Sequence, residues 1–231
     1  MTKKTLKAIS LSVLTVSVLT FSACLPESAA YKNIEGYSDV MAAKKLYTDL
    51  DSGHFYMQDN ETGEVTEEFT FRYRGDGNLT YVSMGTEGED VYYEFHNGSE
   101  INCKYKDEHE WSFIQQGDEN YRVYDRKNRH PYTNEGVISM NAYAVTGSKV
   151  EEQAEGKKIT FYYDAAQFAE SLSELGELQS FESSIWLDSG GYCYRLDQKG
   201  VFKKDGKETV SDFSMLIDSM NEVGEIKRPE V

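Results

Sequence analysis

Histidines and nearby carboxylates are the first residues in this chain that could do chemistry. Glu94 and His96 alternate onto one face of a predicted strand, and His109 lies between two glutamates. Imidazole and carboxylate groups are common ligands of transition metals. The ligand spacing of a zinc site is absent, so we interpret all four histidines, which include His54 and His130, as solvated surface residues. The sequence predicts no metal site and no cofactor.

Two further motifs suggest binding but are better explained as turns. The segment from Asp59 to Gly63 begins like a calcium loop, yet its twelfth position is Thr70, where a bidentate glutamate is needed. The tripeptide Arg74-Gly75-Asp76 matches a cell-adhesion motif, but it falls at a predicted hairpin tip rich in glycine and aspartate. We predict a hairpin turn at each place.

Motifs of catalysis are not found in the sequence. It contains no nucleophile elbow, phosphate loop or HExxH segment, and no serine or cysteine has a locally recognisable partner. An envelope hydrolase is therefore the least favoured of three hypotheses, and we predict that the chain is not an enzyme.

Cys24 is the residue with the clearest predicted chemistry. Three lysines precede an apolar stretch that runs from Ala8 to Phe21 and ends in Ser22-Ala23-Cys24. This order is typical of a secretory signal, and the stretch is too short to span a bilayer core. Its ending resembles a bacterial lipobox, in which the cysteine is acylated, although Phe21 stands where leucine or valine is usual. The alternative is an ordinary signal peptide with an incidental cysteine.

Cleavage before Cys24 divides the chain into three parts. We predict a signal peptide over residues 1–23, the acylated cysteine with a short tether over 24–35, and a single domain over 36–231. Several acyl chains would hold the protein on the extracytoplasmic face of the cell membrane. Loss of the signal peptide changes the net charge from −16 to about −19. So acidic a body repels phosphate, which argues against nucleic acid and against membrane binding by charge.

Cys103 and Cys193 remain after acylation of Cys24, and an oxidising compartment would permit a disulfide between them. Strand alternation places Cys103 in phase with apolar neighbours, whereas Cys193 alternates with Arg195 and Asp197. We therefore predict that the two thiols face opposite sides of the sheet and stay unpaired, with a bridge as the less favoured alternative.

Hydrophobic periodicity predicts an α+β fold. Apolar residues at helical spacing follow Ser38, a candidate N-cap, and the period then changes to two. Asn97-Gly98 is the strongest hairpin signal, and the short connections between strands imply an antiparallel meander. The predicted strands cover residues 64–74, 79–84, 91–96, 100–106, 111–115, 121–124, 159–163, 180–187, 192–197, 210–217 and 223–227.

Two segments of the second half are predicted as helical. Residues 125–156 fit either a helix or a strand, and we interpret them as a helix or lid. Asp164 and Gln167 have the form of a capping box ahead of Phe168 and Leu172, which predicts a helix ending at Gly176.

The segments Tyr194-Arg195-Leu196-Asp197-Gln198-Lys199-Gly200 and Gly224-Glu225-Ile226-Lys227-Arg228-Pro229 are similar to two motifs of one superfamily. With the lipobox, the first helix and the meander, the chain resembles the LolA-like lipoprotein carriers and their LppX-like lipoprotein relatives. That resemblance implies a curved sheet, shaped as an incomplete barrel, whose concave face is covered by a few helices and holds acyl chains. It brings no catalytic residue.

Aromatic residues supply the candidate binding face. The chain has 17 tyrosines, 11 phenylalanines and 2 tryptophans, which suit a packed core or, alternatively, a groove for lipid, sugar or peptide. We predict that the row Phe69, Phe71 and Tyr73 and the row Tyr93 and Phe95, on two different strands, lie on the same face of the sheet. This face is predicted to lie under the helix that contains Phe168 and Leu172. The predicted ligand-contacting residues are Phe69, Phe71, Tyr73, Tyr93, Phe95, Phe168 and Leu172.

Two functions remain open on the sequence alone. The favoured one is a membrane-tethered, noncatalytic lipoprotein that binds a lipid or another apolar ligand. The alternative is a surface interaction module of the same fold that binds protein, peptide or glycan through exposed aromatic side chains. A cavity under the sheet favours the first, and a packed sheet with exposed aromatics favours the second.

Overall fold

The computed structural model describes residues 33–87, 90–98, 100–105, 111–138, 140–168 and 176–230. Its main feature is one antiparallel sheet of eleven strands in the order β6-β5-β4-β3-β2-β1-β11-β10-β9-β8-β7. The first and last strands of the chain pair with each other in the middle of the sheet, through β1 and β11. Strands β6 and β7 form its two edges, so the curved sheet stays unclosed.

The strands are β1 Ser52–Asp59, β2 Val65–Tyr73, β3 Leu79–Glu87, β4 Asp90–His96, β5 Ile101–Tyr105, β6 Ser112–Ile114, β7 Val145–Gln153, β8 Gly156–Tyr163, β9 Glu177–Asp188, β10 Cys193–Lys204 and β11 Lys207–Asp218. Alternation sorts their side chains onto two faces. The inner face carries Phe55, Phe69 and Phe213, which are at most 1 % exposed. The antiparallel meander predicted from the sequence is confirmed.

Helix α1, Tyr37–Thr48, packs on the inner face through its buried residues Val40, Ala43 and Tyr47. Its N-cap is Gly36 and not Ser38 as predicted. Gly36 has a φ of 80°, and a Cβ there would lie 2.6 Å from the Ile159 side chain. Glycine at this position therefore allows the helix to start close against β8.

The long segment between β6 and β7 also lies on the inner face. It contains two short 3-10 helices, Pro131–Thr133 and Glu135–Val137, joined by irregular backbone. Val137, Ile138 and Met140 are buried in the same core as α1 and the sheet. We call residues 121–144 the covering segment. Residues 125–156 were predicted as a helix or lid. The described residues of the first part lie over the inner face in 3-10 turns and irregular backbone, and β7 occupies the end.

Helices are fewer than predicted. The described residues contain one α-helix and short 3-10 turns, so the expectation of a few covering helices is wrong in this respect. The predicted helix after Asp164 appears only as a 3-10 turn, Ala165–Phe168, and residues 169–175 lie outside the described part. Residues 121–124 and 223–227 were predicted as strands but are irregular, and β1 was not predicted.

Both candidate turns are confirmed as structural. The Asp59 carboxylate accepts hydrogen bonds from the backbone N–H groups of Glu61 and Thr62 at 2.8 and 2.9 Å, which closes the β1–β2 connection. At the β2–β3 connection, the Arg74 guanidinium pairs with Asp76 at 2.6 Å. Each motif is therefore engaged in its own turn.

No disulfide joins Cys103 to Cys193. Cys103 lies on the inner face, as predicted. Cys193 was predicted to point outward with Arg195, but a β-bulge between these two residues shifts the register, and Cys193 is buried at 3 % exposure. One extra residue in the strand therefore reverses the side to which the thiol points.

Candidate functional site

Aromatic rings line the inner face of β1 to β4, and rings of the covering segment pack onto them. The His130 ring stacks on Phe69 with 4.8 Å between centroids, and it lies at the same distance from Tyr81. Tyr132 meets Phe55 and Phe69 edge to face at 5.1 and 5.2 Å. These separations are those of favourable aromatic pairs, so the covering segment and the sheet share one core.

Polar contacts fasten the covering segment to the sheet and to α1. The Tyr132 hydroxyl donates to the Glu67 carboxylate, and the Tyr47 hydroxyl donates to the Tyr132 carbonyl. The Tyr73 hydroxyl donates to Thr133 Oγ1 at 3.0 Å. These hydrogen bonds satisfy side chains that would be costly to bury unpaired.

Two histidines are held inside this cluster without charge. His96 is fully buried, and burial is the main cause that lowers its pKa to about 4. Neither ring nitrogen of His96 has a hydrogen-bond partner in the described structure. Burial lowers the pKa of His130 to about 3, with a smaller contribution from His96. The prediction that these two histidines are solvated is wrong.

Two glutamates lie on the same face. Burial raises the pKa of Glu67, and the nearby Glu94 raises it further, while the hydrogen bond from Tyr132 acts in the opposite direction. Glu94 accepts a hydrogen bond from the Tyr81 hydroxyl. Across the described residues, no three His, Cys, Asp or Glu side chains come close enough together to hold a metal ion.

The structure brings together only part of the predicted ligand-contacting set. Phe69, Phe71 and Tyr73 lie on the inner face at 0, 1 and 6 % exposure. Tyr93 and Phe95 were predicted on that face but lie on the outer one, because Phe95 pairs with Val82, whose neighbour on β2 is Thr70. The inner residues of β4 are Tyr92, Glu94 and His96.

The remaining predicted site residues fall outside what the structure describes. Phe168 ends a 3-10 turn, and its side chain is not among those described, while Leu172 and Cys24 lie outside the described residues altogether. Three residues that complete the aromatic cluster were not predicted from the sequence: Tyr81, His130 and Tyr132. Strand pairing could have indicated Tyr81, since it lies directly opposite Phe71.

The inner face of β10 and β11 contains polar atoms that lack partners. Gln198 Oε1 and Ser211 Oγ are buried, and neither has a hydrogen-bond partner in the described part of the chain. The two residues are 3 and 8 % exposed, in a region otherwise lined by Leu196, Phe202 and Phe213. Buried unpaired acceptors are rare in native proteins, so these atoms could receive hydrogen bonds from a bound group or a water.

The outer face carries a polar network around Asp197 and two exposed tyrosine rings. Asp197 accepts hydrogen bonds from Trp186 at 3.0 Å and from Ser214 at 2.7 Å. Tyr162 and Tyr194 are 42 and 37 % exposed. Within the described residues, no helix has the length and apolarity needed to cross a bilayer.

No protein family and no curated protein matches this sequence. Solved structures do. The chain resembles two mycobacterial lipoproteins. LprF from Mycobacterium bovis is 12 % identical with a TM-score of 0.47, over 83 % of this chain and 95 % of that one. LppX from Mycobacterium tuberculosis is 14 % identical with a TM-score of 0.46, over 82 % of this chain and 97 % of that one.

A third solved structure, MucB in complex with MucA, is 10 % identical, with a TM-score of 0.17 over 78 % of this chain and 92 % of that one. All three TM-scores lie below 0.5, and no ligand or partner of this chain follows from these likenesses.

Proposed function

We propose that this protein is a membrane-tethered, noncatalytic lipoprotein whose inner sheet face binds a lipid or another apolar ligand. The observation that carries the proposal is the large aromatic inner face of β1 to β4. An irregular segment covers most of its rings, and α1 reaches it only at Phe71, through Tyr47. Irregular backbone separates from a sheet more readily than a packed helix, because fewer hydrogen bonds and contacts form within it.

Binding on this face requires the covering segment to move. Phe69 and Phe71 are fully packed by the chain's own rings, so a ligand must take the place of His130 and Tyr132. An apolar ligand would restore the apolar contacts that His130 and Tyr132 give up, but not the hydrogen bonds from Tyr132 to Glu67 and from Tyr73 to Thr133. The unpaired atoms of Gln198 and Ser211 support a ligand that also has a polar group.

Acylation of Cys24 is the proposed anchor. A Cys24→Ser variant should therefore be found as a soluble mature chain or as uncleaved precursor after cell fractionation. The wild-type chain should be found in the membrane fraction with a modified amino terminus. Wild-type protein that is soluble, with an unmodified amino terminus, would contradict the anchor.

Native mass spectrometry tests the ligand itself. The mature chain, residues 24–231 with Cys24→Ser, is purified without detergent and examined for a bound molecule of lipid mass. We expect a fraction of the protein to carry such a molecule, and organic extraction to remove it. Protein that is entirely free of adducts and fails to bind a fluorescent fatty acid would contradict the proposal.

A surface interaction module is the second candidate function. It is favoured by the packed inner face, where Phe69 and Phe71 are at most 1 % exposed. It is also favoured by the exposure of Phe113, Tyr143, Tyr162 and Tyr194, which lies between 37 and 52 %. Tyrosine combines an apolar ring with a polar tip and is enriched where proteins bind one another. Glycan or peptide binding that is lost in a Tyr162→Ala variant with an unchanged unfolding midpoint would support this function.

A further inference from the structure

We propose that a groove on the outer face of the sheet binds a small zwitterion, a molecule with both an oxyanion and an amino group, either free or as a lipid headgroup. The groove has a volume of about 500 Å³, which is within the range of small-molecule pockets. It lies away from the inner face, so the proposal is independent of the apolar ligand. Its lining includes Arg72, Arg74, Thr80, Asn97, Glu225 and Ile226.

The C-terminal tail, residues 219–230, forms one wall of the groove. At its start, the Arg72 guanidinium donates a hydrogen bond to the Val223 carbonyl at 2.9 Å. Further along, the guanidinium carbon of Arg228 lies 5.7 Å from the centroid of the Trp111 ring, which directly precedes β6. The tail is therefore held to the sheet at two points, and the stretch between them lines the groove.

The floor of the groove is the outer face at one end of β2 and β3. Arg72 on β2 pairs with Thr80 on β3, and Arg74 follows directly after β2. A Cβ on Gly98 would lie 2.6 Å from Arg74 Nη2, so the glycine leaves room for this guanidinium beside the β4–β5 connection. Arg74 pairs with Asp76 at 2.6 Å, which already matches its charge. Arg72 is therefore the cation of the groove that a ligand can use.

Arg72 and Glu225 carry opposite charges that no described residue neutralises. Within the described chain, the Arg72 side chain makes the one hydrogen bond to Val223, which uses a single N–H of its guanidinium. The Glu225 carboxylate is exposed and forms no ion pair or hydrogen bond with a described residue. The two side chains line one groove without pairing with each other, so a ligand between them could contact both.

The chemistry of the groove selects a zwitterion over a simple anion. A guanidinium binds carboxylate or phosphate oxygens through parallel N–H donors, and a carboxylate accepts hydrogen bonds from an ammonium group. An anion alone would meet the negative charge of Glu225 and the long-range repulsion of a chain whose net charge is −16. A zwitterion has no net charge to repel, and half-buried Ile226 offers apolar contact to its carbon atoms.

Calorimetric titration of the mature Cys24→Ser chain with glycine and with glycerophosphoethanolamine tests the site. We expect a zwitterion to bind at pH 7, and to bind about tenfold more weakly to Arg72→Gln and to Glu225→Gln, because each variant loses a charge-assisted hydrogen bond. Glu222→Gln is the matched control, since Glu222 is an exposed acid of the same tail that does not line the groove. It should bind like the wild type.

Probes with a single charge separate a zwitterion site from a general ion site. Acetate and ethanolamine each carry one of the two groups and should bind about tenfold more weakly than the zwitterion. Unfolding midpoints show whether each variant is folded. Glu225→Gln changes an exposed side chain without a described partner, so it decides the test if Arg72→Gln releases the tail and unfolds.

Vesicles distinguish the two sources of the zwitterion. Cosedimentation with phosphatidylethanolamine–phosphatidylcholine vesicles that exceeds cosedimentation with phosphatidylcholine alone, and that falls in Glu225→Gln, would identify a headgroup. Binding of the free zwitterions without cosedimentation would identify a soluble ligand. The proposal is overturned if the wild type binds neither zwitterion, if acetate or ethanolamine binds as tightly, or if Glu225→Gln binds like the wild type.

Discussion

The His130 ring of the covering segment lies against the Phe69 ring of β2, with 4.8 Å between centroids and 20° between planes. An imidazole in this position must be neutral, because the contact surface is apolar and burial holds the pKa of His130 at about 3. His96 beneath Tyr81 has the same character, with a pKa of about 4. The covering segment is therefore packed on the sheet through groups that acid can charge.

Acid should destabilise the folded chain. Both histidines have a lower pKa in the folded state than their ordinary value of 6.5, so the unfolded state binds protons first as the pH falls. The free energy of unfolding should be insensitive to these groups above pH 7 and should fall between pH 6.5 and 4, by about 2 kcal/mol per histidine at pH 4.5. Urea unfolding at pH 7 and 4.5 measures this.

The raised pKa of Glu67 acts in the opposite direction, because the folded state then takes up a proton more readily than the unfolded state. The net loss on acidification is therefore smaller than the sum of the two histidine contributions. Stability that rises steadily from pH 7 to pH 4.5 would contradict burial of neutral histidines.

Replacement of His96 by phenylalanine should separate its contribution. Neither ring nitrogen has a described partner, so a ring without nitrogens loses no hydrogen bond, and the free energy of unfolding at pH 7 should stay the same or rise. The loss between pH 7 and 4.5 should shrink by about 2 kcal/mol. An unchanged pH profile in a folded His96→Phe variant would mean that His96 is solvated.

Phe71→Ala should lower the free energy of unfolding by about 3 to 5 kcal/mol. Phe71 is 1 % exposed and packs against Tyr47 and Tyr73 at centroid distances of 6.5 and 6.3 Å, so its removal leaves a void. The matched control is Phe113→Ala, since Phe113 is 52 % exposed and its loss should cost about 0.5 kcal/mol or less. Equal losses in chemical denaturation would show that the inner face at Phe71 is open.

The thiols provide an independent test of the register. Burial raises the pKa of Cys193 to about 12, so this thiol should react with a thiol reagent far more slowly than Cys103, which is only partly buried. Both should react after denaturation without reductant, because no disulfide joins them. Rapid labelling of Cys193 in the native protein would mean that its thiol points outward and that the strand has no bulge at that residue.

The sequence was sufficient for the strands with strict alternation. Phe69, Phe71 and Tyr73 repeat every second residue and lie on one face, because a pleated strand leaves no other arrangement. The antiparallel pairing of consecutive strands from β2 to β6 also followed from their short connections, whereas β1 and its pairing with β11 were not predicted. Motifs that form turns, such as the one at Asp59, were recognised because their hydrogen bonds are local.

Features set by distant contacts were beyond prediction. The face of β4 depends on the exact length of the β3–β4 connection, in which Glu87 pairs with Asp90, and one residue more or less exchanges Phe95 for His96. The residues around Cys193 likewise contain no local signal for the bulge, which depends on how β10 pairs with β9. His130 and Tyr132 lie in irregular backbone without periodicity, so only the tertiary structure shows that they complete the core.

Hydrogen–deuterium exchange of the mature Cys24→Ser chain, with and without a saturating long-chain fatty acid, tests the central claim most directly. If the ligand occupies the inner face, amide exchange should become faster across residues 121–138, because His130 and Tyr132 are displaced, and slower along β2 and β3 beneath the ligand. Absence of any change, or protection confined to the outer face around Tyr162, would contradict lipid binding under the covering segment.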